Sequence, residues 1–373
     1  MTSVAFLADQ VFAAAPGGMG TYTRELVQAM SRLDPSLDIT LFHGKTGRPA
    51  PEEWTRSYAV TELRASTRTL YPQWALTRRP PLLEPLGSAA VVHTPIPVAV
   101  PPVQPGQRLV VTVHDVAFLV HPEAYPMRWR LLYRAGLARA VRSADALIAV
   151  SRHTAEDLVR RTRVDRRKIH VTPLAASLPI AQDQHDVEAV LARLKVRRPY
   201  VLFVGTLEPR KNLVRLVRAY RWTAGRGAPH ALVLAGPMGW RHQELLKEVA
   251  IPAPGEVVLT GALPSADLDA LYRGAAAFVY PSLYEGFGLP ILEAMARGVP
   301  CVVSTSSSLP EVAGEAALPV DPRSTGALAE AIERVITDRA LAARLHDAGP
   351  ARSARFSWDE TARLTLEVYK SIL

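Results

Sequence analysis

Tyr280-Pro-Ser-Leu-Tyr-Glu-Gly-Phe-Gly-Leu-Pro-Ile-Leu-Glu-Ala-Met-Ala-Arg-Gly-Val-Pro-Cys-Val-Val-Ser304 is the stretch whose reading decides the fold. A short apolar strand, Ala277 to Tyr280, runs into a turn rich in Gly and Pro. A helix opens at about Pro290, where the missing N–H of proline would be unpaired in any case. It stops at Gly298, and a second apolar strand follows at Cys301 to Val303. Glu285 lies in the turn and Glu293 one turn into the helix. The free N–H groups and positive dipole end of a helix N-terminus make a ready anion site. Gly286 and Gly288 carry no Cβ, so a ligand can come close to the backbone. A loop glutamate beside such a site can accept hydrogen bonds from several hydroxyls of a sugar ring, and one pointing back along the helix can grip a ribose diol. The plain alternative is an ordinary strand–loop–helix connection of an α/β domain.

Glu285 and Glu293 form an E-x7-E pattern. With Pro281-Ser-Leu-Tyr-Glu-Gly-Phe-Gly-Leu-Pro290 it resembles the donor-site signature of the retaining glycosyltransferases of family 4, whose fold is GT-B. The resemblance implies that Glu285 holds sugar hydroxyls, Glu293 holds the ribose, and Gly286, Phe287, Gly288 and Leu289 line the donor.

At 373 residues the chain is long enough for two domains, and its balance of 48% hydrophobic and 21% charged residues is that of a globular protein. No apolar run reaches the length of a membrane span, and the N-terminal residues lack the charged leader and cleavage site of a signal peptide. The one cysteine, Cys301, allows no internal disulfide and fits a reducing cytoplasm. It sits in an apolar run without a neighbouring base, which argues against a nucleophile. A net charge of +9 favours acidic partners such as nucleotide diphosphates or anionic lipids, or else reflects an arginine-rich composition that serves solubility. No DNA- or RNA-binding module is present, so no nucleic-acid partner is expected. The chain reads as cytoplasmic, with a peripheral seat on the inner face of the membrane as the variant.

From the N-terminus, Val4 to Ala8 is a strand, Asp9 to Thr21 a glycine-rich loop, and Tyr22 to Leu33 an amphipathic helix. The spacing of Gly17, Gly18 and Gly20 is not G-x-G-x-x-G, so NAD binding is not read. The loop instead resembles the family's N-terminal glycine loop beside donor diphosphate and acceptor, which implies roles for Gly18 and Gly20, with Tyr22 on the acceptor side. Further strands are expected at Ile39–His43, Ala59–Leu63, Ala89–His93 and Leu109–Val113. Residues 66–86 show little periodicity and read as a variable connection. His114 and Asp115 lie just past a strand. A histidine there can be a structural hydrogen-bonder; the resemblance places it near the donor sugar, with Asp115 orienting it or touching an acceptor hydroxyl. Met127 to Arg142 is a helix with five arginines, suited either to solvent or to an anionic membrane surface. Ala146–Val150 is a strand, Ser151 caps a helix to Arg161, and Ile169–Thr172 closes the first sheet.

The boundary is set at 182/183, giving domains 1–182 and 183–356, with the helix 357–373 returning to the first domain as the resemblance implies. The second domain opens with a strand ending at Gly205 and a helix from Asn212. Arg210 and Lys211 sit at that helix start, where cations oppose the macrodipole. A pyrophosphate would explain them, since Arg grips phosphate in a fork and Lys supplies a point charge. The family's Gly-x5-Lys-Asn pattern implies the same: both cations stabilise the departing diphosphate. Glu208 is placed to order Arg210. Strands at Ala231–Ala235 and Val257–Leu259 end at Gly236 and Gly261, which the resemblance puts at the nucleotide and its base. Thr305-Ser-Ser-Ser-Leu-Pro-Glu-Val312 resembles the family's loop and short helix that close the donor pocket, with a triple Ser where most relatives carry a tract that contains glycine.

The expected fold is α/β, two doubly wound Rossmann-like domains facing across a cleft. The expected activity is transfer of a hexose from a nucleotide diphosphate sugar to a hydroxyl acceptor with retention. His114, Arg210, Lys211 and Glu285 form the catalytic set, and no metal or cofactor beyond the donor is expected. The loop His114-Asp-Val-Ala-Phe-Leu-x-His-Pro-Glu123 resembles mannosyltransferases, which favours GDP-mannose over UDP-glucose or UDP-N-acetylglucosamine. A nucleotide-sugar epimerase of the same fold and a non-catalytic sugar-nucleotide or membrane-surface binding protein are the alternatives.

Overall fold

The computed structural model describes residues 2–12, 17–47, 51–83, 86–178, 187–227 and 231–373. The expected boundary at 182/183 lies outside them. The chain divides into two compact units, residues 1–174 with 357–373, and residues 175–356.

The first unit is built on strands β1 (Ser3–Leu7), β2 (Asp38–His43), β3 (Ala59–Glu62), β4 (Val91–Thr94), β5 (Arg108–Val113), β6 (Ala146–Ala149) and β7 (Ile169–Val171). They form one sheet in the order β3-β2-β1-β4-β5-β6-β7, and all its pairs are parallel. The second unit holds β8 (Tyr200–Val204), β9 (Ala231–Ala235), β10 (Val257–Gly261), β11 (Ala277–Tyr280), β12 (Cys301–Ser304) and β13 (Ala317–Val320). Their order is β10-β9-β8-β11-β12-β13, again all parallel. Helices cover both faces, so β8, β9, β11 and β12 are buried at every residue, which is why they read as unbroken apolar runs. Strand order reverses between β1 and β4 in one sheet and between β8 and β11 in the other. Loops leaving the carboxyl ends of strands on either side of such a reversal splay apart and leave a crevice.

Two expectations are corrected. The glycine-rich segment is not a loop up to Thr21: the first helix is Gly17–Leu33 and takes in Gly18 and Gly20. Its buried residues Gly20, Thr23, Val27 and Met30 continue one stripe back to Gly20, and tertiary burial overrides the low helix propensity of glycine. Residues 66–86 are not simply a connection, because Thr67–Leu76 is a helix burying Leu70, Tyr71, Trp74 and Ala75. Pro72 inside it disguises the pattern, while Trp74 Nε1 donates to Pro80 O at 3.0 Å and Tyr71 OH to Asp9 Oδ2 at 2.7 Å. The last helix, Trp358–Ile372, starts at Ser357, whose side chain accepts from Glu360 N, and it packs on Gly17–Leu33 within the first unit.

The strand ends of the second unit are held by backbone contact. Gly205 N donates to Ala235 O, and Gly236 N to Gly261 O, both at 2.9 Å. Gly236 has φ +144°, and a Cβ there would lie 2.1 Å from Gly205 O. Gly18, by contrast, has open space where its Cβ would stand. Gly236→Ala should therefore cost about 3 kcal/mol or more through overpacking and left-handed strain, whereas Gly18→Ala should be neutral or slightly stabilising. Thermal denaturation of both variants checks the pair; equal melting temperatures would contradict the close approach.

Candidate functional site

In the second unit the two loops that flank the strand reversal supply the charged residues. After β8 the chain makes a short turn, Pro209–Lys211, and Asn212 takes φ +62° before the helix Leu213–Gly225. After β11 the loop passes Glu285 and enters the helix Leu289–Ala296, with Gly288 at φ +117° as its cap. Leu283 N donates to Arg210 O at 2.9 Å, and Asn212 Nδ2 donates to Pro281 O at 3.0 Å and Pro322 O at 2.7 Å. The two loops are thus fastened to each other through backbone and amide groups.

At their junction Glu285 accepts from both cations. Lys211 Nζ lies 2.6 Å from Glu285 Oε1 and Arg210 Nη1 2.7 Å from Oε2. Lys211 Nζ also donates to Tyr280 OH at 2.8 Å, and Arg210 Nη1 to Tyr284 O at 2.7 Å. Glu208 Oε1 accepts from Nε and Nη2 of Arg210 at 3.1 and 2.7 Å, which is the ordering role expected of it. All four charged side chains are nearly buried, at 3–11% exposure, so their charges act on one another in a low dielectric. Burial would raise the Glu285 carboxyl, but Arg210 and Lys211 outweigh it and hold the group down at about 2. Burial likewise opposes the Lys211 ammonium, and Glu285 more than compensates, so its proton is held more tightly than usual.

The serine tract, which the resemblance places where the donor pocket closes, makes contacts that the sequence did not reveal. Glu285 N donates to Ser307 Oγ at 2.8 Å, and Ser308 Oγ, fully buried, donates to Glu285 O at 2.9 Å and Phe287 O at 3.0 Å. Ser307 adopts φ +56°, a conformation that glycine takes more readily. The departure from glycine in this tract was visible, but not that its hydroxyls hold the Glu285 loop.

Glu293 is not hydrogen-bonded to the cation cluster. Its Oε2 accepts from Tyr272 OH at 3.0 Å, and burial raises its carboxyl above the usual range. Gly205, Gly236 and Gly261 stand at the carboxyl ends of β8, β9 and β10, and Gly261 has open space at its Cβ position. An Asp-x-Asp sequence, Asp267-Leu-Asp269, lies on the helix Ser265–Gly274 and is consumed by structure: Arg193 pairs with Asp267, and Arg273 and Arg297 with Asp269. Among the described residues no group of three or more His, Cys, Asp or Glu is placed to hold a metal ion.

The first unit holds His114 and Tyr22. Their rings meet edge to face at 4.8 Å, and burial lowers the His114 imidazole to about 4, so it is neutral. His114 Nε2 is buried with no hydrogen-bond partner among the described residues. Asp115 does not orient it: Oδ1 accepts from Ala117 N at 2.9 Å and starts the next turn. Tyr22 OH shares Thr112 Oγ1 with His93 Nε2, each at 2.8 Å, and His93 Nδ1 meets Tyr369 OH at 2.5 Å on the last helix. Gly18 is exposed and Gly20 buried in the first helix.

Residues 16–177 match the family described as Glycosyltransferase Family 4, and residues 191–352 that described as Glycosyl transferases group 1. The O-antigen chain mannosyltransferase B of Escherichia coli is 34% identical over 268 residues, covering 71% of this chain and 70% of that protein. The serotype-specific mannosyltransferase WbdA of Escherichia coli is 30% identical over 275 residues, or 71% of this chain, but the chain spans only 34% of WbdA. Among solved structures, sucrose-phosphate synthase from Thermosynechococcus elongatus superposes with a TM-score of 0.78 at 22% identity, covering 100% of this chain and 99% of that one. Anabaena HepE in complex with UDP-glucose gives 0.73 at 18% identity, covering 100% of both chains. At such identities these structures establish the fold alone.

Glu285→Gln leaves two buried cations undercompensated and should cost about 3–5 kcal/mol at neutral pH. The folded carboxyl lies at about 2 and the ordinary value is 4.5, so wild-type stabilisation is full above 4.5 and is lost as pH falls toward 2. The stability gap between wild type and Glu285→Gln, followed by urea denaturation across this range, should shrink on acidification. A gap independent of pH would show that Glu285 is not the charged partner.

Proposed function

The chain belongs to glycosyltransferase family 4, a GT-B-type glycosyltransferase, and from that membership we propose that it transfers mannose from GDP-mannose to a hydroxyl acceptor with retention of configuration. One observation carries the reading most: Arg210, Lys211 and Glu285 converge from the two loops at the strand reversal of the second unit. Strand reversals are where α/β sheets receive nucleotides, and two cations at one of them suit a diphosphate. The mannosyl choice draws on the His114–Glu123 loop and on similarity to the Escherichia coli mannosyltransferase.

In this reading the bond between the sugar's anomeric carbon and the β-phosphate oxygen breaks, and its electron pair goes to the diphosphate. Arg210 and Lys211 stabilise that growing charge electrostatically. The acceptor oxygen bonds to the same face of the sugar, and the departing phosphate oxygen takes the hydroxyl proton. Beyond its bonds to Glu285 and Tyr280, the Lys211 ammonium has a third N–H to offer a phosphate. Glu285 turns to the sugar hydroxyls and Glu293 to the ribose. No metal ion is required, because the two cations supply the positive charge.

GDP, UDP, ADP and TDP should be compared by thermal shift, with and without magnesium. At a hundred times its dissociation constant a ligand adds about 2.7 kcal/mol of stability. GDP should stabilise most, equally without magnesium, and Lys211→Met should abolish the shift. A larger shift with UDP would overturn the mannosyl choice, and no shift with any of them would overturn the nucleotide site. Early time points of GDP-mannose hydrolysis followed by proton NMR should show α-mannose; β-mannose would refute retention. Ser308→Ala should weaken nucleotide binding several-fold through the loosened Glu285 loop, with little change in acceptor KM; unaltered binding would deny that role.

A further inference from the structure

Four buried side chains of the first unit stand in one hydrogen-bonded row that the proposed chemistry leaves unused. Tyr369 OH meets His93 Nδ1 at 2.5 Å, His93 Nε2 meets Thr112 Oγ1 at 2.8 Å, and Thr112 Oγ1 meets Tyr22 OH at 2.8 Å. His93 lies on β4 and Thr112 on β5, while Tyr22 and Tyr369 lie on the first and last helices, which pack on each other. None of the four is more than 1% exposed. Burial lowers the His93 imidazole to about 3, so the ring is neutral and carries one N–H. Packing alone does not call for such a row, because apolar side chains would fill the space with no polar hydrogen to satisfy.

The hydrogens can be counted. Tyr369, His93, Thr112 and Tyr22 bring one each, and three hydrogen bonds join them, so one hydrogen is left over among the described residues. The 2.5 Å contact decides where the order begins. A hydroxyl donor makes a shorter bond than a ring N–H donor, so Tyr369 donates to His93 Nδ1. The ring proton of His93 is then on Nε2 and goes to Thr112 Oγ1. Thr112 stands inside a strand buried from Leu109 to Val113, whereas the Tyr22 ring meets the His114 ring edge to face at 4.8 Å. His114 offers an acceptor there. Its N–H is held by the Pro95 backbone and its Nε2 has no partner among the described residues, so the N–H is Nδ1 and Nε2 keeps a lone pair. The surplus hydrogen therefore belongs to Tyr22, with Thr112 donating to it.

We propose that Tyr369 and His93 are positioning residues: through Thr112 they fix the ring and hydroxyl of Tyr22, and through Tyr22 the ring of His114. The last helix thereby orders a side chain just past the end of β5, although neither Tyr369 nor His93 touches it by a hydrogen bond. A row of this kind is directional, so removing one hydroxyl changes the proton order of its neighbours as well as their packing. The kinetic consequence rests on His114 and Tyr22 serving the proposed transfer; the proton order does not.

The test begins with the full chain labelled with nitrogen-15 in histidine, followed by two-bond proton–nitrogen NMR at about neutral pH. His93 should show a bare Nδ1 and a protonated Nε2, and His114 the reverse. Tyr369→Phe should move the His93 Nδ1 signal to that of a nitrogen with no donor on it. A protonated His93 Nδ1 in the wild type would overturn the proposal, and that reading needs no variant to fold. Kinetics supply the second arm. Thr112→Val keeps the shape and loses the hydroxyl, and should lower kcat for GDP-mannose hydrolysis about ten-fold with the donor KM and the nucleotide thermal shift unchanged. Thr112→Ser returns the hydroxyl and should recover most of the loss. Equal rates in the Val and Ser variants would reduce the row to packing and overturn the positioning role. If the wild type hydrolyses no nucleotide sugar, the proposed transfer falls, and the NMR pattern still decides the proton order.

Discussion

Glu285, lying between Arg210 and Lys211, is the constraint on which the second unit depends. Three charges taken out of water are tolerable only where each meets its opposite at hydrogen-bond distance. Meeting that condition fixes the loop after β8 against the loop after β11, because the cations sit on one and the carboxylate on the other. The strand reversal between β8 and β11 makes room for the loops, and the ion pairs decide what fills it. Glu208 completes a balance of two positive and two negative side chains, so the group is close to neutral when nothing is bound.

Around this group the backbone does the positioning. Asn212 takes a left-handed conformation and spends its amide on two carbonyls from other loops. Ser307 and Ser308 hold the main chain at Glu285 and Phe287, and the contact of Gly236 with Gly205 sets the spacing of β8 and β9 at their carboxyl ends. Each contact uses a small or amide-bearing residue where a larger side chain would occupy the space or lack the donor. The backbone is therefore held by several contacts where charge must be placed.

The strands and most helices were legible because a doubly wound sheet buries both faces, so β8, β9, β11 and β12 appear as apolar runs between glycine- and proline-marked turns. The candidacy of Arg210, Lys211, Glu285 and Glu293 was legible from their type and spacing. That Glu285 would pair with both cations was not, since spacing along the chain says nothing of which loops meet across a strand reversal. Hidden features had local causes. Pro72 masked the helix Thr67–Leu76, whose evidence is the burial of Trp74 and Tyr71 rather than any regular period. Glycines disguised the start of the first helix, and Asp115 looked chemical but serves a turn. Asp267-Leu-Asp269 has the spacing of a metal motif, yet arginines from three elements claim it.

The near-neutral balance bears on how such a site treats an anion. Glu285 and Glu208 already satisfy Arg210 and Lys211, so a diphosphate gains less from them than from two bare cations. Its arrival nevertheless changes what Glu285 is needed for. Once phosphate oxygens lie against Lys211 and Arg210, the carboxylate is no longer their only compensation and its lone pairs become available to hydroxyl donors. On the proposed reading those donors belong to the sugar on the same diphosphate. A nucleotide alone would then meet the compensated cations, whereas a nucleotide sugar would also offer hydroxyls to the carboxylate its phosphates relieve. One buried glutamate thereby links recognition of the leaving group to recognition of the group transferred, and the neutral resting cluster favours the ligand that carries both.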